Sequence, residues 1–254
     1  MSLVLTDPGR VWRITLNRPD QRNAVSGPMM ELVRAALADS AADPDARAIV
    51  LAGGGDHFCA GADVAELLEA TGGPGAIEYG RAFEEVLRAI GEHPLPVIAR
   101  VHGAALGAGC QLVVACDLAV AAEDARIGIP SSRLGILINY ENIERLALAV
   151  GMKRANEILF TGRALSGVEA AAWGLVNRAV AAAELGAAVE ELAEAVAAGA
   201  PISVRGSKRG VRGALLRRSP EGFDQMAADA LASEDLVEGI AAFRERRPPE
   251  FRGR

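Results

Sequence analysis

The sequence predicts an α/β fold, and three observations carry that prediction. Short apolar runs of strand length alternate with segments of helical spacing up to about residue 180. Two of those runs end in Gly-rich turns that open a helical segment. The last third is Ala-rich and reads as helical hairpins with a mixed-charge face. A chain of 254 residues, half of them apolar, has ample material for one large core or a core with a small appendage.

Leu3–Leu5 and Val11–Leu16 flank Asp7-Pro8-Gly9-Arg10, the pattern of a hairpin. The stretch from Asn17 to Asn23 is a polar loop containing Pro19. Ser26 stands as an N-cap for a helix from Pro28 to about Ala38, with proline near its favoured first position. Asp43-Pro44-Asp45 is a turn before a strand ending at Leu51. A short helix over Val64–Ala70 is broken by Thr71-Gly72-Gly73-Pro74-Gly75, and Ile77–Glu92 places Phe83, Val86, Leu87 and Ile90 on one helical face. Pro96–Val101 is a strand, Gly107–Ala115 a helix, and Asp117–Ala121 and Ala125–Ile129 short strands. From Glu141 onward the reading is helix, with breaks at Gly151, Gly162, Gly167 and Gly174. The expected division is a core over 1–180 and a helical part over 181–254.

The two Gly-rich turns are Phe58-Cys59-Ala60-Gly61-Ala62-Asp63 and Gly103-Ala104-Ala105-Leu106-Gly107-Ala108-Gly109-Cys110. Each follows a buried-strand pattern and precedes a helix, so the pair can aim backbone N–H groups at one point, where small residues admit a ligand. Such hardware suits an oxygen that becomes negative during a reaction. Other chemistries lack their signatures. Gly107 to Leu112 misses the third glycine of a dinucleotide loop, Gly206-Ser207-Lys208 is not a phosphate loop, and no G-x-S-x-G elbow occurs. Cys59, Cys110 and Cys116 show no C-x-x-C spacing, so neither a disulfide framework nor a metal site is expected. Lys and Arg number 27 against 33 Asp and Glu, a formal charge of −6 that argues against general nucleic-acid binding. No secretory leader and no membrane-spanning run is visible, and the expectation is a soluble, cytoplasmic protein.

In order and spacing these stretches, with Leu16-Asn17-Arg18-Pro19, Asn23-Ala24, Cys116-Asp117-Leu118-Ala119, Leu134-Gly135 and Gly239 to Phe243, resemble the crotonase superfamily, the enoyl-CoA hydratase/isomerase family. The likeness runs over essentially the whole chain. It implies a spiral of strand–strand–helix units with a helical C-terminal trimerisation part, assembled as a homotrimer or a dimer of trimers. It also implies an acyl-CoA thioester as substrate, with no separate cofactor because coenzyme A is part of that substrate. Two backbone N–H groups would hold an enolate oxyanion, and by position these fall on Ala60 and Ala108. The CoA moiety would lie near Arg22, Ala24, Ala62, Asp63 and Val64, with Arg18 or Arg22 available to phosphate and Arg246 reaching in from the C-terminal end.

The chain departs from the family where hydratases carry two glutamates. Those positions hold Gln111 and, after Ile127-Gly128-Ile129-Pro130, Ser131. Glutamine cannot act as a general base, and a serine without a base beside it transfers protons poorly. Ile138 to Asn142 stands where relatives line the acyl pocket, and some place a carboxylate at the position of Asn142. Glu141 is therefore the candidate acid/base, with Tyr140 beside it. His57 reads as a solvated loop histidine, His93 and His102, which flank a strand, as structural, and Trp12 and Trp173 as core. The resemblance leaves three readings: enolate chemistry without two glutamates (decarboxylation or isomerisation), hydration with a rearranged acid/base set, and acyl-CoA binding without turnover.

Overall fold

The computed structural model describes residues 2–63, 66, 74–134, 136–215, 225, 229, 233–245, 247 and 249–254. The expected helix Val64–Ala70 and the break at Thr71-Gly72-Gly73 lie outside these residues apart from Glu66, and 221–232 apart from two positions.

Nine strands build two sheets among the described residues. The hairpin forms as β1 (Val4–Asp7) and β2 (Val11–Leu16), paired antiparallel from Val4 opposite Leu16 to Asp7 opposite Arg13. Parallel strands β3 (Ala48–Gly53), β4 (Val97–Val101), β6 (Leu118–Ala122) and β9 (Arg178–Val180) extend it into a six-stranded sheet ordered β1-β2-β3-β4-β6-β9. All six residues of β3 are buried, as expected of a parallel strand covered on both faces. Three short strands, β5 (Ala104–Leu106), β7 (Arg126–Gly128) and β8 (Ala164–Ser166), make a second sheet.

Helix α1 runs Gly27–Ala42, four residues beyond its expected end, and buries Met29, Met30, Val33 and Leu37. Ser26 occupies the N-cap with extended backbone, but its hydroxyl does not cap; the Glu66 carboxylate accepts the Gly27 N–H instead, at 2.9 Å. Helix α2 spans Pro74–Glu92 and α3 spans Ala108–Ala115. In the region read as helix with glycine breaks, Gly151, Gly162 and Gly174 do cap helices, whereas Gly167 is the first residue of one. These helices are α4 (Tyr140–Val150), α5 (Met152–Thr161) and α6 (Gly167–Trp173). Strands β8 and β9 lie within that region and correct the all-helical expectation. At three residues each, and with no residue of β9 fully buried, they carry too little periodicity to be read. Beyond them come α7 (Leu185–Ala197), α8 (Pro201–Leu215) and α9 (Glu234–Glu245).

Helix α7 follows the expected boundary at Val180, yet Leu185, Val189 and Ala193 enter the same buried cluster as Ile49 and Ile98. Helix α8 is tied to the sheet by Lys208. Its ammonium reaches the Asp117 carboxylate at 2.7 Å and the Leu95 carbonyl at 3.0 Å, while Asp117 also accepts the Val97 N–H. Trp12 is buried and donates to Asp43; Trp173 is only half-buried, with the Arg163 guanidinium 4.9 Å from its ring centre.

Strand–strand–helix units organise what lies between. After β3 the chain bridges Cys59 to Ala105 of β5 in parallel, so the first Gly-rich turn lies alongside the second. The Phe58 N–H donates to the His102 carbonyl, Cys59 N–H to Ala104, and Leu106 N–H back to Cys59. Glycine is required at this contact. A side-chain carbon on Gly109 would fall on the Cys59 carbonyl, and one on Gly103 (φ +54°) on the Asp56 carbonyl. Gly109→Ala is expected to force the turns apart and cost about 1–3 kcal/mol or more, measured as a lower urea midpoint.

His93 is a second checkable anchor. Its Nδ1 accepts the Leu95 N–H at 3.1 Å while Nε2 donates to the Leu37 carbonyl at 2.9 Å, an arrangement only neutral imidazole can make. Burial holds the ring below the ordinary value of 6.5. The folded chain thus binds fewer protons than the unfolded chain between the two values. The contribution is complete above about pH 6.5 and falls as pH drops through that window. His93→Gln is expected to flatten the loss of stability between about pH 7.5 and about pH 5.5, read from urea midpoints.

Candidate active site

The centre of the site is the contact between the two turns. A side-chain carbon on Gly107 would lie 3.8 Å from the Gly61 Cα, and one on Gly61 would lie 3.4 Å from the Leu106 carbonyl. Both glycines have positive φ, +133° at Gly61 and +55° at Gly107. The residues that follow them are Ala62 and Ala108.

Ala60 is not the first donor. Its N–H is bonded to the Arg22 carbonyl at 2.9 Å and has nothing left to offer a ligand. Two residues on, Ala62 pairs in parallel with Val25: Val25 N–H donates to Gly61, and Asp63 N–H donates to Val25. In such a bridge the flanking peptides face the partner, so Ala62's own N–H points to the opposite side. That is the side on which Cys59 bonds to β5 and on which the second turn lies. Among the described residues neither the Ala62 nor the Ala108 N–H has an acceptor. Ala108 is the first residue of α3, where free N–H groups and the helix dipole favour negative charge. The turn is fixed by Gly107 N–H on the Gly128 carbonyl and Gln111 N–H on the Gly107 carbonyl. Of the expected pair, the Ala60 N–H is therefore taken, and the N–H groups left without an acceptor at the contact, among the described residues, are those of Ala62 and Ala108.

Gln111 lies three residues beyond Ala108 on the same helix, hence on the same face, and is 9% exposed. Its Oε1 accepts from Asn142 Nδ2 at 2.7 Å. Asn142 Oδ1 accepts from Arg145 at 2.8 Å, and Arg145 also pairs with Glu141 at 3.4 Å. Glu141 is 44% exposed and shared with Arg88 at 3.8 Å. On α4 it stands about 100° around from Asn142. The structure therefore does not bring the expected acid/base to Gln111: the Glu141 carboxylate is committed to two guanidinium groups on another face of its helix. Tyr140 is 74% exposed. Ser131 sits in the 3-10 turn Pro130–Leu134, just past the Gly128 carbonyl that anchors the second turn, and its hydroxyl has no partner among the described residues. Among those residues no carboxylate contacts either Gln111 or Ser131.

Of the residues expected around coenzyme A, Arg22, Ala24 and Asp63 gather beside Ala62. Asn23 is fully buried and donates to the Gly54 and His57 carbonyls while accepting the Arg18 N–H, which pins the 18–23 loop to the first turn. Arg22 adopts a left-handed backbone (φ +49°) that turns its carbonyl onto Ala60 and leaves its side chain exposed. Arg18 is paired with Asp63 at 2.5 Å, so of the two arginines expected near phosphate Arg22 is the one without an acidic partner among the described residues. Ala24 closes the loop with its N–H on the Gln21 carbonyl. Val64 and Arg246 lie outside the described residues.

The remaining candidates are structural. His57 Nδ1 accepts the Ala104 N–H at 3.2 Å and His102 bonds to the Gly55 carbonyl, both holding turns together. Burial pushes the Cys59 and Cys110 thiols up to about 12, which leaves them as inert core. No group of His, Cys, Asp and Glu among the described residues is placed to hold a metal ion. No helix among them is long and apolar enough to cross a membrane. Sequence reasoning missed Arg145 and the role of Asn142. Their helical spacing was visible, but the contact to Gln111, 31 residues away, is tertiary.

Comparison with known proteins places this geometry. The family model described as enoyl-CoA hydratase/isomerase matches residues 6–254. A Mycobacterium tuberculosis protein named a probable enoyl-CoA hydratase is 35% identical over 245 residues, covering 95% of this chain and 94% of its own. The short-chain-enoyl-CoA hydratase of Clostridium acetobutylicum is 31% identical, covering 98% and 97%. The crystal structure of an enoyl-CoA hydratase from Bacillus anthracis superposes with a TM-score of 0.92 at 31% identity, covering 100% of both chains. By sequence and by fold, this chain belongs to the enoyl-CoA hydratase/isomerase family of the crotonase superfamily.

Proposed function

We propose that the chain is an enzyme acting on acyl-CoA thioesters, and that it grips the thioester oxygen with the N–H groups of Ala62 and Ala108. The observation that carries this is the pair of unpaired amides on two turns in contact, one of them opening a helix. When an α-substituent leaves as its cation equivalent, negative charge moves onto that oxygen. Fixed donors then stabilise the transition state more than the ground state, by about 10²–10³ in rate for each donor. Arg22, Ala24, Ala62 and Asp63 would flank the coenzyme A moiety, with Arg22, which has no acidic partner among the described residues, available to phosphate. Subunit contacts in a homotrimer or dimer of trimers would fall to the helical part beyond Val180.

Water addition by two carboxylates does not suit the residues at hand. Gln111 and Ser131 can give hydrogen bonds but cannot take a proton at neutral pH. Glu141 is bound up with Arg145 and Arg88. The reading favoured is therefore enolate chemistry that makes little demand on a base, with loss of carbon dioxide the least demanding case.

Proline is tolerated at the first position of a helix, so Ala108→Pro removes one donor while keeping α3. It is expected to lower kcat by about 10²–10³ with a small change in KM, measured by mass spectrometry of products from enoyl- and malonyl-type CoA thioesters. Glu141→Gln is expected to keep turnover within about threefold in the same assay, because the side chain pairs with Arg88 and Arg145 and Arg145 keeps its bond to Asn142 without it. Binding of the thioesters without any product would replace the enzyme with an acyl-CoA binder.

A further inference from the structure

The direction of the hydrogen bonds around Gln111 is fixed by Arg145. A guanidinium can only donate, so the oxygen of the Asn142 amide must face it. The Asn142 nitrogen then gives to Gln111, which must present its own oxygen. This chain of donors leaves no freedom to exchange oxygen and nitrogen in either amide. Gln111 is left with its NH₂ group, which has no partner among the described residues and is not sealed off from solvent, although the residue as a whole is 9% exposed.

That NH₂ group is on the face of α3 that carries Ala108, at the end where the helix dipole is positive. Behind it, through one amide, stands the Arg145 guanidinium. The Ser131 hydroxyl, equally unpartnered, lies on the turn that follows β7. Where hydratases of the family carry two negative acceptors, this chain has two neutral donors. The hydrogen-bond demand at these positions is thereby reversed, and a bond from such a donor to a charged acceptor gains more than one to a neutral acceptor.

Resting on the acyl-CoA reading above, we propose that the acyl group taken by this site bears a carboxylate, as in malonyl-type thioesters, and that the Gln111 amide holds it. Asn142 and Arg145 are positioning residues that act through Gln111. In the reaction this arrangement fits, the C–C bond to the carboxylate breaks and its electron pair passes to Cα and the thioester oxygen. Carbon dioxide leaves. The enolate takes a proton from water at Cα, and the hydroxide formed combines with the carbon dioxide as bicarbonate. Gln111 neither gains nor loses a proton at any point.

The test is equilibrium binding of malonyl-CoA and of butyryl-CoA to the full-length protein, by competition, with intact thioester counted by mass spectrometry. The wild type is expected to bind malonyl-CoA at least about tenfold tighter. Gln111→Leu should abolish that preference and Gln111→Glu should reverse it. Asn142→Asp keeps the volume and the Arg145 contact but accepts from Gln111, which draws the NH₂ group away from the ligand. It should lose the preference while butyryl-CoA binding and the melting temperature stay unchanged, a split that a merely structural role would not produce. Equal, measurable binding of both thioesters by the wild type overturns the carboxylate assignment and leaves the acyl-CoA reading standing. No binding of either overturns the acyl-CoA reading itself. Retention of the preference in a folded Asn142→Asp variant removes the positioning role.

Discussion

The contact between two backbone turns governs the rest of this molecule. The segments after β3 and β4 approach so closely that Gly103 and Gly109 have no room for a side-chain carbon, and Gly61 and Gly107 lie against one another. Everything that could act on a ligand is hung from that contact. The bridges from Cys59 to Ala105 and from Val25 to Ala62, with the Arg22 carbonyl on Ala60, consume the neighbouring peptide groups and leave the Ala62 N–H without an acceptor among the described residues. The site is therefore a by-product of sheet pairing, and it needs no charged side chain to form. This explains how such a scaffold can keep its anion-holding turn while the groups around it change.

Those surrounding groups decide the chemistry. Burial alone would make a lone glutamine an awkward occupant of the α3 face, since its amide could rotate to either orientation. A single buried contact from Arg145 removes that ambiguity at a distance of two side chains. Electrostatic character thus comes from polarity handed along a chain of neutral amides, not from a charge placed in the pocket. The half-buried arginine stays partly solvated and paired with Glu141, which spares the protein the cost of a fully desolvated charge.

How much of this the sequence disclosed follows from the range of the interactions. Strands β3 and β4 and the amphipathic α2 were legible because periodicity is local, and the glycines named both turns. Family membership was legible in the spacing of those motifs along the chain. The Ala60 N–H was expected to be free and is not, because which peptide is left over depends on what the neighbouring segment uses up. Arg22 and Val25 take the peptides at 60, 61 and 63, and nothing in the local pattern announces that. Glu141 was misjudged for a related reason: a carboxylate looks available in sequence until the arginines around it are known. Strands β8 and β9 escaped because three residues hold less than two full alternations.

The cap on the first helix ties distant parts of the chain together. Gly27 finds its acceptor in Glu66, 39 residues downstream, while the adjacent Ser26 hydroxyl makes no bond to the helix. Glu66 in turn donates its own N–H to Asp63, the partner of Arg18. The first amide of α1 is thus satisfied by a residue that lies beyond β3 and the first turn. The helix end, the loop after the hairpin and that turn share one hydrogen-bonded seam, and loosening Glu66 would uncap a helix distant in sequence.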